Sequence, residues 1–339
     1  MNKYLLMLLL LLSSFNLMAQ EPMADSVKNF LDSSLNIIQK HALNSKKVNW
    51  EILRSQIYHK ASGAKTYEDI LPLYRYIFEQ IDDHHGSLKF KGKTYGWNGK
   101  TPIIASEAIK KASKQYKEVR SEKIGSAIGY LLVPGNSDFR GQLMDSISKS
   151  IKNAIAKVND KNIKGWIIDL RVNDGGNMYP MIAGLTDFIG EGKVGGFINA
   201  DNVPQGTWII KDGTFYVDSI KVTNVKYEGY PLKKDIPIAV LIAGYTASSG
   251  EMTAISTIGR KKSILIGENS AGYTTTNLGF EINKDAGLNL AVDYPVDRNG
   301  EIYPVNLKPA ILVEGGDNFE KLTEDKKITE AIKWLKKNR

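Results

Sequence analysis

Cysteine is absent from all 339 residues. That excludes disulfides, thiolate metal sites, a cysteine nucleophile and a lipidated amino-terminal cysteine. Stability must then come from an apolar core, which a chain of this length can bury. Histidine is scarce, with four in total, so imidazole chemistry has few possible addresses. Dense charge of one sign is also missing. The formal net charge is +8, but Lys46-Lys47, Lys110-Lys111, Lys233-Lys234, Lys261-Lys262 and Lys336-Lys337 are isolated pairs. With no basic stripe interleaved with aromatics, nucleic-acid binding is not expected, and the lysines read as solvated faces. The one conspicuous apolar run, Leu5 to Leu12, is too short to span a bilayer.

That run lies between Lys3 and the small-residue end Leu17-Met18-Ala19. The pattern is that of a secretory signal, with residues 1–19 removed from the mature chain. The expectation is a periplasmic or extracellular protein without stable membrane insertion.

Apolar residues recur at helical spacing from 25 to 81. Asn49 is placed to cap a helix carrying Trp50, Leu53 and Ile57. Thr66-x-x-Asp69 opens another, with Ile70, Leu73, Tyr74, Ile77, Phe78 and Ile81 on one face. From Ile128 onward strands alternate with helices: strands at Ile128–Val133, Gly165–Leu170, Ile236–Ala243 and Ser263–Gly267, and an amphipathic helix over Phe139–Val158. Short strands are expected over 205–230 and 278–313. The resulting division is a signal segment 1–19, a helical lobe 20–90, a connecting segment 91–127, an α/β core 128–322 with a β insertion at 205–230, and a closing helix 323–339.

Three segments carry candidate chemistry. The first is Ala243-Gly-Tyr-Thr-Ala-Ser-Ser-Gly-Glu251, a turn between a fully apolar strand and a helix. A serine there gains from the helix amides and is lifted clear of the sheet. Ser248-x-x-Glu251 is equally a capping box, a purely structural device. The second is Asp82-Asp-His-His-Gly86 at a helix end. A loop histidine there can act as a base, since its unperturbed pKa lies near neutrality, or can simply cap the helix as a cation. Adjacent residues rarely aim at one ion and no zinc-like spacing is present, so neither a metal nor any cofactor is expected. The third is Asp169-Leu-Arg-Val-Asn-Asp-Gly-Gly176, a strand followed by a double-glycine turn. Its backbone amides can serve an oxyanion or merely turn the chain.

Taken in order, Asp83-His-His85, Ile128-Gly-Tyr130, Asp169-Leu-Arg-x-Asn-x-Gly-Gly176, Thr246-Ala-Ser-Ser-Gly-Glu251 and Gly267-Glu-x-x-x-Gly272 resemble the tail-specific, or C-terminal processing, serine peptidases. That family includes the tricorn-core and interphotoreceptor retinoid-binding-protein-like branches. The resemblance covers roughly residues 70–313 and implies a crotonase-like (Clp-protease-like) α/β core behind an N-terminal helical part. It implies a peptide or protein substrate, Ser248 as nucleophile with Ser249 the less favoured alternative, and an oxyanion hole from the amides of Gly175 or Gly176 and Ser249.

Departures from the family pattern narrow the mechanism. Where the processing branch carries a lysine base and a following glutamine, this chain has Tyr273 and Asn277. Tyrosine, with a reference pKa near 10, is a poor base at neutral pH. The resemblance then passes the base to His85, as in the tricorn-like branch. The accompanying glutamate position holds Tyr303, with Glu301 two residues earlier as a substitute. The usual Pro-Asp-Ile reads Pro309-Ala-Ile311. The interval between Leu88 and Ile124 is too short for a substrate-gating PDZ domain, so capture of a carboxyl terminus by such a groove is not expected. The competing reading is a catalytically silent peptide- or ligand-binding protein that keeps the fold.

Overall fold

The computed structural model describes residues 22–99 and 105–339; the expected signal segment lies outside them. The chain forms two compact units. The first comprises the residues up to Trp97 together with Gly279–Asn289, and the second holds Asn98–Leu278 and Leu290–Arg339.

Four helices open the first unit: α1 (Asp25–His41), α2 (Trp50–Lys60), α3 (Tyr67–Ile70) and α4 (Leu73–Gln80). Asn49 caps α2 by accepting the Ile52 N–H, and Thr66 and Asp69 form the expected capping box. The single helix expected after Thr66 is instead two. Pro72, which has no N–H to donate, stands at the break, and Leu71 rather than Leu73 is buried there. Val27, Leu31, Leu35 and Ile38 of α1 are fully buried, as are Tyr74, Ile77 and Phe78 of α4. The hairpin β1 (Ser87–Phe90) and β2 (Lys93–Gly96) follows.

In the second unit come α5 (Glu107–Gln115), β3 (Arg120–Ile124), β4 (Ile128–Leu132), α6 (Met144–Val158), β5 (Gly165–Asp169), α7 (Met178–Gly184) and α8 (Thr186–Ile189). The meander β6 (Gly192–Ile198), β7 (Pro204–Lys211), β8 (Thr214–Val217) and β9 (Ile220–Lys221) is next. Then follow β10 (Ile238–Ile242), α9 (Ser249–Ile255) and β11 (Ser263–Gly267), the strands β12 (Thr276–Asn283) and β13 (Ala286–Asp297), which are divided between the two units, and β14 (Ile311–Leu312) and α10 (Lys326–Lys337) of the second unit.

The core sheet has the order β14-β11-β10-β5-β4-β3, parallel except for the edge strand β3. Every residue of β4, β5 and β10 is buried, as a parallel sheet covered on both faces requires. Side-chain alternation sends Trp166, Ile168, Ile238, Val240 and Ile242 to one core, shared with Ile151 and Ile155 of α6 and Met181 and Ile182 of α7. Ile167, Ala239 and Leu241 enter the other core with Ile109 of α5 and Ile328, Ala331 and Leu335 of α10.

Two further boundaries differ from expectation for polar reasons. Helix α6 begins at Met144 rather than Phe139, because the buried Asp138 carboxylate takes the N–H groups of Gln142 and Leu143 and holds a turn. Helix α10 begins at Lys326 because Asp325 caps it through the Ile328 N–H. The region expected as several short strands contains instead the twelve-residue β13. Its first residues pair with β1 in the first unit and its last with β6 in the second.

Among the described residues no helix is long and apolar enough to cross a membrane.

Candidate active site

Parallel α/β sheets place their functional loops at the carboxyl ends of the strands, and three such loops meet here. The loop after β5 is Leu170–Asn177, the one after β10 is Ala243–Ser248, and the one after β11 is Glu268–Thr275.

The serine turn is fixed from below. Thr246 Oγ donates to the Leu170 carbonyl (2.9 Å) and accepts the Ala243 N–H (3.0 Å), while the Ala247 N–H reaches the Asn173 carbonyl (3.0 Å). The Gly250 N–H then closes a β-turn on the Ala247 carbonyl at 2.9 Å. Ser248 sits second in that turn with φ 52° and ψ −118°, the mirror image of the type II value and a conformation normally left to glycine. Such backbone strain costs of order 1–3 kcal/mol and concentrates at functional sites. Ser248 is partly exposed, whereas Ser249 is 7% exposed and donates its hydroxyl to the Gly176 carbonyl at 2.7 Å. The capping box of Ser248 and Glu251 is present as well, so the strained residue is also the helix cap.

The double-glycine turn lies directly against the serine. A β-carbon added to Gly175 would fall 2.8 Å from Ser248 Cβ and 3.4 Å from Ser248 Oγ. One added to Gly176, where φ is 113°, would fall 1.8 Å from the Asn136 carbonyl oxygen. The two amides differ in availability. That of Gly175 donates to Asn173 Oδ1 at 3.0 Å. Those of Gly176 and Ser249 make no hydrogen bond among the described residues. Of the expected oxyanion donors, then, Gly176 and Ser249 carry open N–H groups, and Gly175 acts as the spacer that lets the turn approach the serine.

Glu251 is more than a capping partner. Its fully buried carboxylate accepts the Ser248 N–H (2.8 Å), the Gly272 N–H (2.9 Å), the Tyr273 N–H and the Ser270 hydroxyl (2.5 Å). It ties the serine turn to the loop after β11. Burial pushes this carboxyl up to about 7 despite those donors. Because the folded-state value lies above the unfolded one, Glu251 contributes stability at low pH that is lost as pH rises through it. Relative to Glu251→Gln, the wild type should lose roughly 3 kcal/mol of unfolding free energy between about pH 4.5 and 7 and be flat above. Urea titrations of both proteins across that range provide the check.

Burial, reinforced by the Glu251 charge, raises the Tyr273 phenol above its ordinary value. A proton-accepting role for it at neutral pH is thus still less favourable than the sequence implies.

Of the remaining site residues, His85 belongs to the first unit and lies just beyond α4. The buried Asp83 carboxylate accepts the backbone N–H groups of His85 (3.0 Å) and Gly86 (2.6 Å), fixing the loop that carries both histidines. The His84 ring meets Trp97 edge-on at 6.3 Å. Glu301 is in the second unit, in the exposed turn after β13. Its backbone N–H and carbonyl both bond Asp297, and its side chain forms no hydrogen bond or ion pair among the described residues. No group of three His, Cys, Asp or Glu among the described residues is placed to hold a metal ion.

The Asp169-Leu-Arg171 stretch proves to be an ionic support. Arg171, fully buried, binds Asp169 (2.6 Å), Asp317 (2.8 Å) and Asp325 (2.7 Å). Tyr130 donates to Asp169 at 2.8 Å. Lys327 binds Asp317 (2.8 Å) and Glu268 (2.9 Å). Sequence reasoning missed Asp317, Asp325 and Lys327, because charged residues late in a chain, such as the run Glu324-Asp-Lys-Lys327, look like surface.

The sequence profile of Peptidase family S41 matches residues 127–312. A nisin-resistance protein of Lactococcus lactis subsp. lactis is 24% identical over 283 residues, covering 82% of this chain and 80% of that protein. The carboxy-terminal processing protease CtpA of Bacillus subtilis (strain 168) is 28% identical over 208 residues, covering 61% of this chain but 39% of that protein. Among solved structures, a lipoprotein from Streptococcus agalactiae superposes with a TM-score of 0.69 at 22% identity, covering 93% of this chain and 98% of that one. A photosystem II D1 C-terminal processing protease gives a TM-score of 0.56 at 12% identity, covering 86% and 94%. These two likenesses bear on the fold alone.

Proposed function

The chain belongs to peptidase family S41, whose members are serine-type peptidases, and from that premise we propose that it is a secreted or periplasmic enzyme that cleaves peptide bonds by acyl transfer, with Ser248 as nucleophile and His85 as base. The observation that supports this most is the backbone of Ser248, held at φ 52° and ψ −118° beside two open amides. A residue needed only to cap a helix has no use for that strain, since ordinary caps occupy the extended region.

In this reading the Ser248 oxygen attacks the scissile carbonyl while its proton passes to the imidazole of His85. The carbonyl oxygen becomes an oxyanion received by the amides of Gly176 and Ser249. The carbon–nitrogen bond then breaks, the imidazolium returns the proton to the leaving amine, and the same base draws a proton from the water that releases the acyl group. Glu301 takes the part of the acid that orients the base.

A fluorophosphonate probe tests the nucleophile directly. It should label the folded wild type, and mass mapping should find the adduct on Ser248. An adduct on Ser249 would reassign the nucleophile. No adduct on folded protein would favour the silent binding protein instead.

A further inference from the structure

One fixed carboxylate beside the serine takes no part in that mechanism. Asp174 lies in the Asp169–Gly176 turn, between Asn173, which supports the serine turn, and Gly175, which touches Ser248. It occupies one of the two positions that the Asp-Leu-Arg-x-Asn-x-Gly-Gly pattern leaves open. The residue is exposed, yet its carboxylate is held on two sides. Tyr245, three residues before Ser248, donates its hydroxyl to Asp174 Oδ2 at 3.2 Å. Asp174 Oδ1 occupies the space over Gly135, 2.3 Å from where a β-carbon would stand. The bond to Tyr245 thus joins the glycine turn to the serine turn.

We infer that Asp174, positioned by Tyr245, is a specificity-determining residue that selects peptide substrates with a lysine or arginine side chain close to the scissile bond. This rests on the peptidase reading above. A carboxylate accepting one phenol hydrogen bond keeps acceptor capacity on both oxygens, and a partner of opposite charge forms the stronger, charge-assisted bond there. Apart from Tyr245, no side chain among the described residues bonds or pairs with this carboxylate. Its negative charge is left for a ligand to meet. Other ways of using the residue make different predictions. As a structural strap between the two turns it would need only a hydrogen-bond acceptor at this position, which asparagine also supplies.

The experiment is a library of N-acetylated, internally quenched peptides, so that no terminal ammonium competes, with cleavage sites mapped by mass spectrometry. Wild type should prefer peptides with Lys or Arg within two residues of the cleaved bond by about tenfold in kcat/KM over their norleucine counterparts. Asp174→Asn, which still accepts from Tyr245, should lose that preference while cleaving neutral peptides as before. Asp174→Lys should reverse it toward acidic peptides. Equal cleavage of basic and neutral peptides by wild type, or an unchanged preference in Asp174→Asn, would overturn the assignment. Fluorophosphonate labelling of each variant keeps the two hypotheses apart. Labelling with no charge preference sinks the subsite alone, whereas no labelling of wild type sinks the peptidase reading itself.

Discussion

Replacing Ser248 with alanine should lower kcat/KM for peptide cleavage by about 10⁴- to 10⁶-fold and leave the protein folded. The size follows from what the hydroxyl does in the proposed reaction. It is the atom that forms the acyl bond, and the amides of Gly176 and Ser249 can offer only residual oxyanion stabilisation without it. Groups that act as one unit are not additive. His85→Ala should therefore cost nearly as much as Ser248→Ala, and the double variant little more than either alone. Steady-state hydrolysis of a quenched peptide measures all three, with far-ultraviolet circular dichroism as the check on folding. A His85→Ala enzyme within tenfold of wild type would remove histidine from the mechanism and leave the serine without its proposed base. The same comparison bears on Ser249. Its hydroxyl is committed to the Gly176 carbonyl, so Ser249→Ala should disturb the oxyanion side of the site while preserving covalent labelling.

The second large effect concerns stability. Arg171→Ala should destabilise the protein by about 3–5 kcal/mol, the usual consequence of removing one member of a buried ionic cluster. Arg171 and Lys327 face four carboxylates, those of Asp169, Asp317, Asp325 and Glu268. The excess negative charge is tolerable because neutral donors share it. The Asp169 carboxylate receives Tyr130, Asp317 receives the Ser106 hydroxyl, and Asp325 receives the amides of Asn318 and Ile328 at the start of α10. Take away the guanidinium and three carboxylates lose their shared cation, a deficit those donors cannot cover. Arg171→Lys should recover only part of the loss, since one ammonium cannot reproduce a fork that reaches three acids. Urea unfolding gives the numbers, and a loss below about 1 kcal/mol would mean that the cluster is not a support.

The cluster also sets a pH limit opposite in sign to that of Glu251. Burial alone would raise the Asp317 carboxyl, but Arg171 and Lys327 outweigh it and hold the group below its ordinary value. Stability from Asp317 is present above the normal carboxylate range and lost as pH falls through the lowered value. Glu251 weakens the fold as pH climbs toward 7, and Asp317 weakens it under acid.

Much of the fold was legible because burial on both faces leaves an unmistakable apolar run. Ile128–Leu132, Gly165–Asp169 and Ile238–Ile242 were located within a residue or two for that reason. Helix starts were less legible where a side chain competes with the helix for backbone N–H groups, as Asp138 does before α6. At the candidate site, the serine turn and the double glycine stood out through their residue types. The backbone angles of Ser248 could not, because they are imposed by Thr246, Asn173 and Glu251 acting from two different loops and helix α9. The pairing of Asp174 with Tyr245 spans 71 residues and leaves no local trace. Buried charge was the most misleading feature. Arg171 stands out in the sequence only as part of a motif, and Lys327 carries no local mark, although both are fully buried.

The dihedral angles of Ser248 carry an evolutionary implication. At φ 52° a glycine would sit without penalty, so Ser248→Gly should stabilise the turn by about 1 kcal/mol or more. For a lineage that needed only the scaffold, drift toward glycine at this position would run downhill in free energy. The serine found there stands against that slope, and thermal denaturation of Ser248→Gly beside wild type would measure how steep it is.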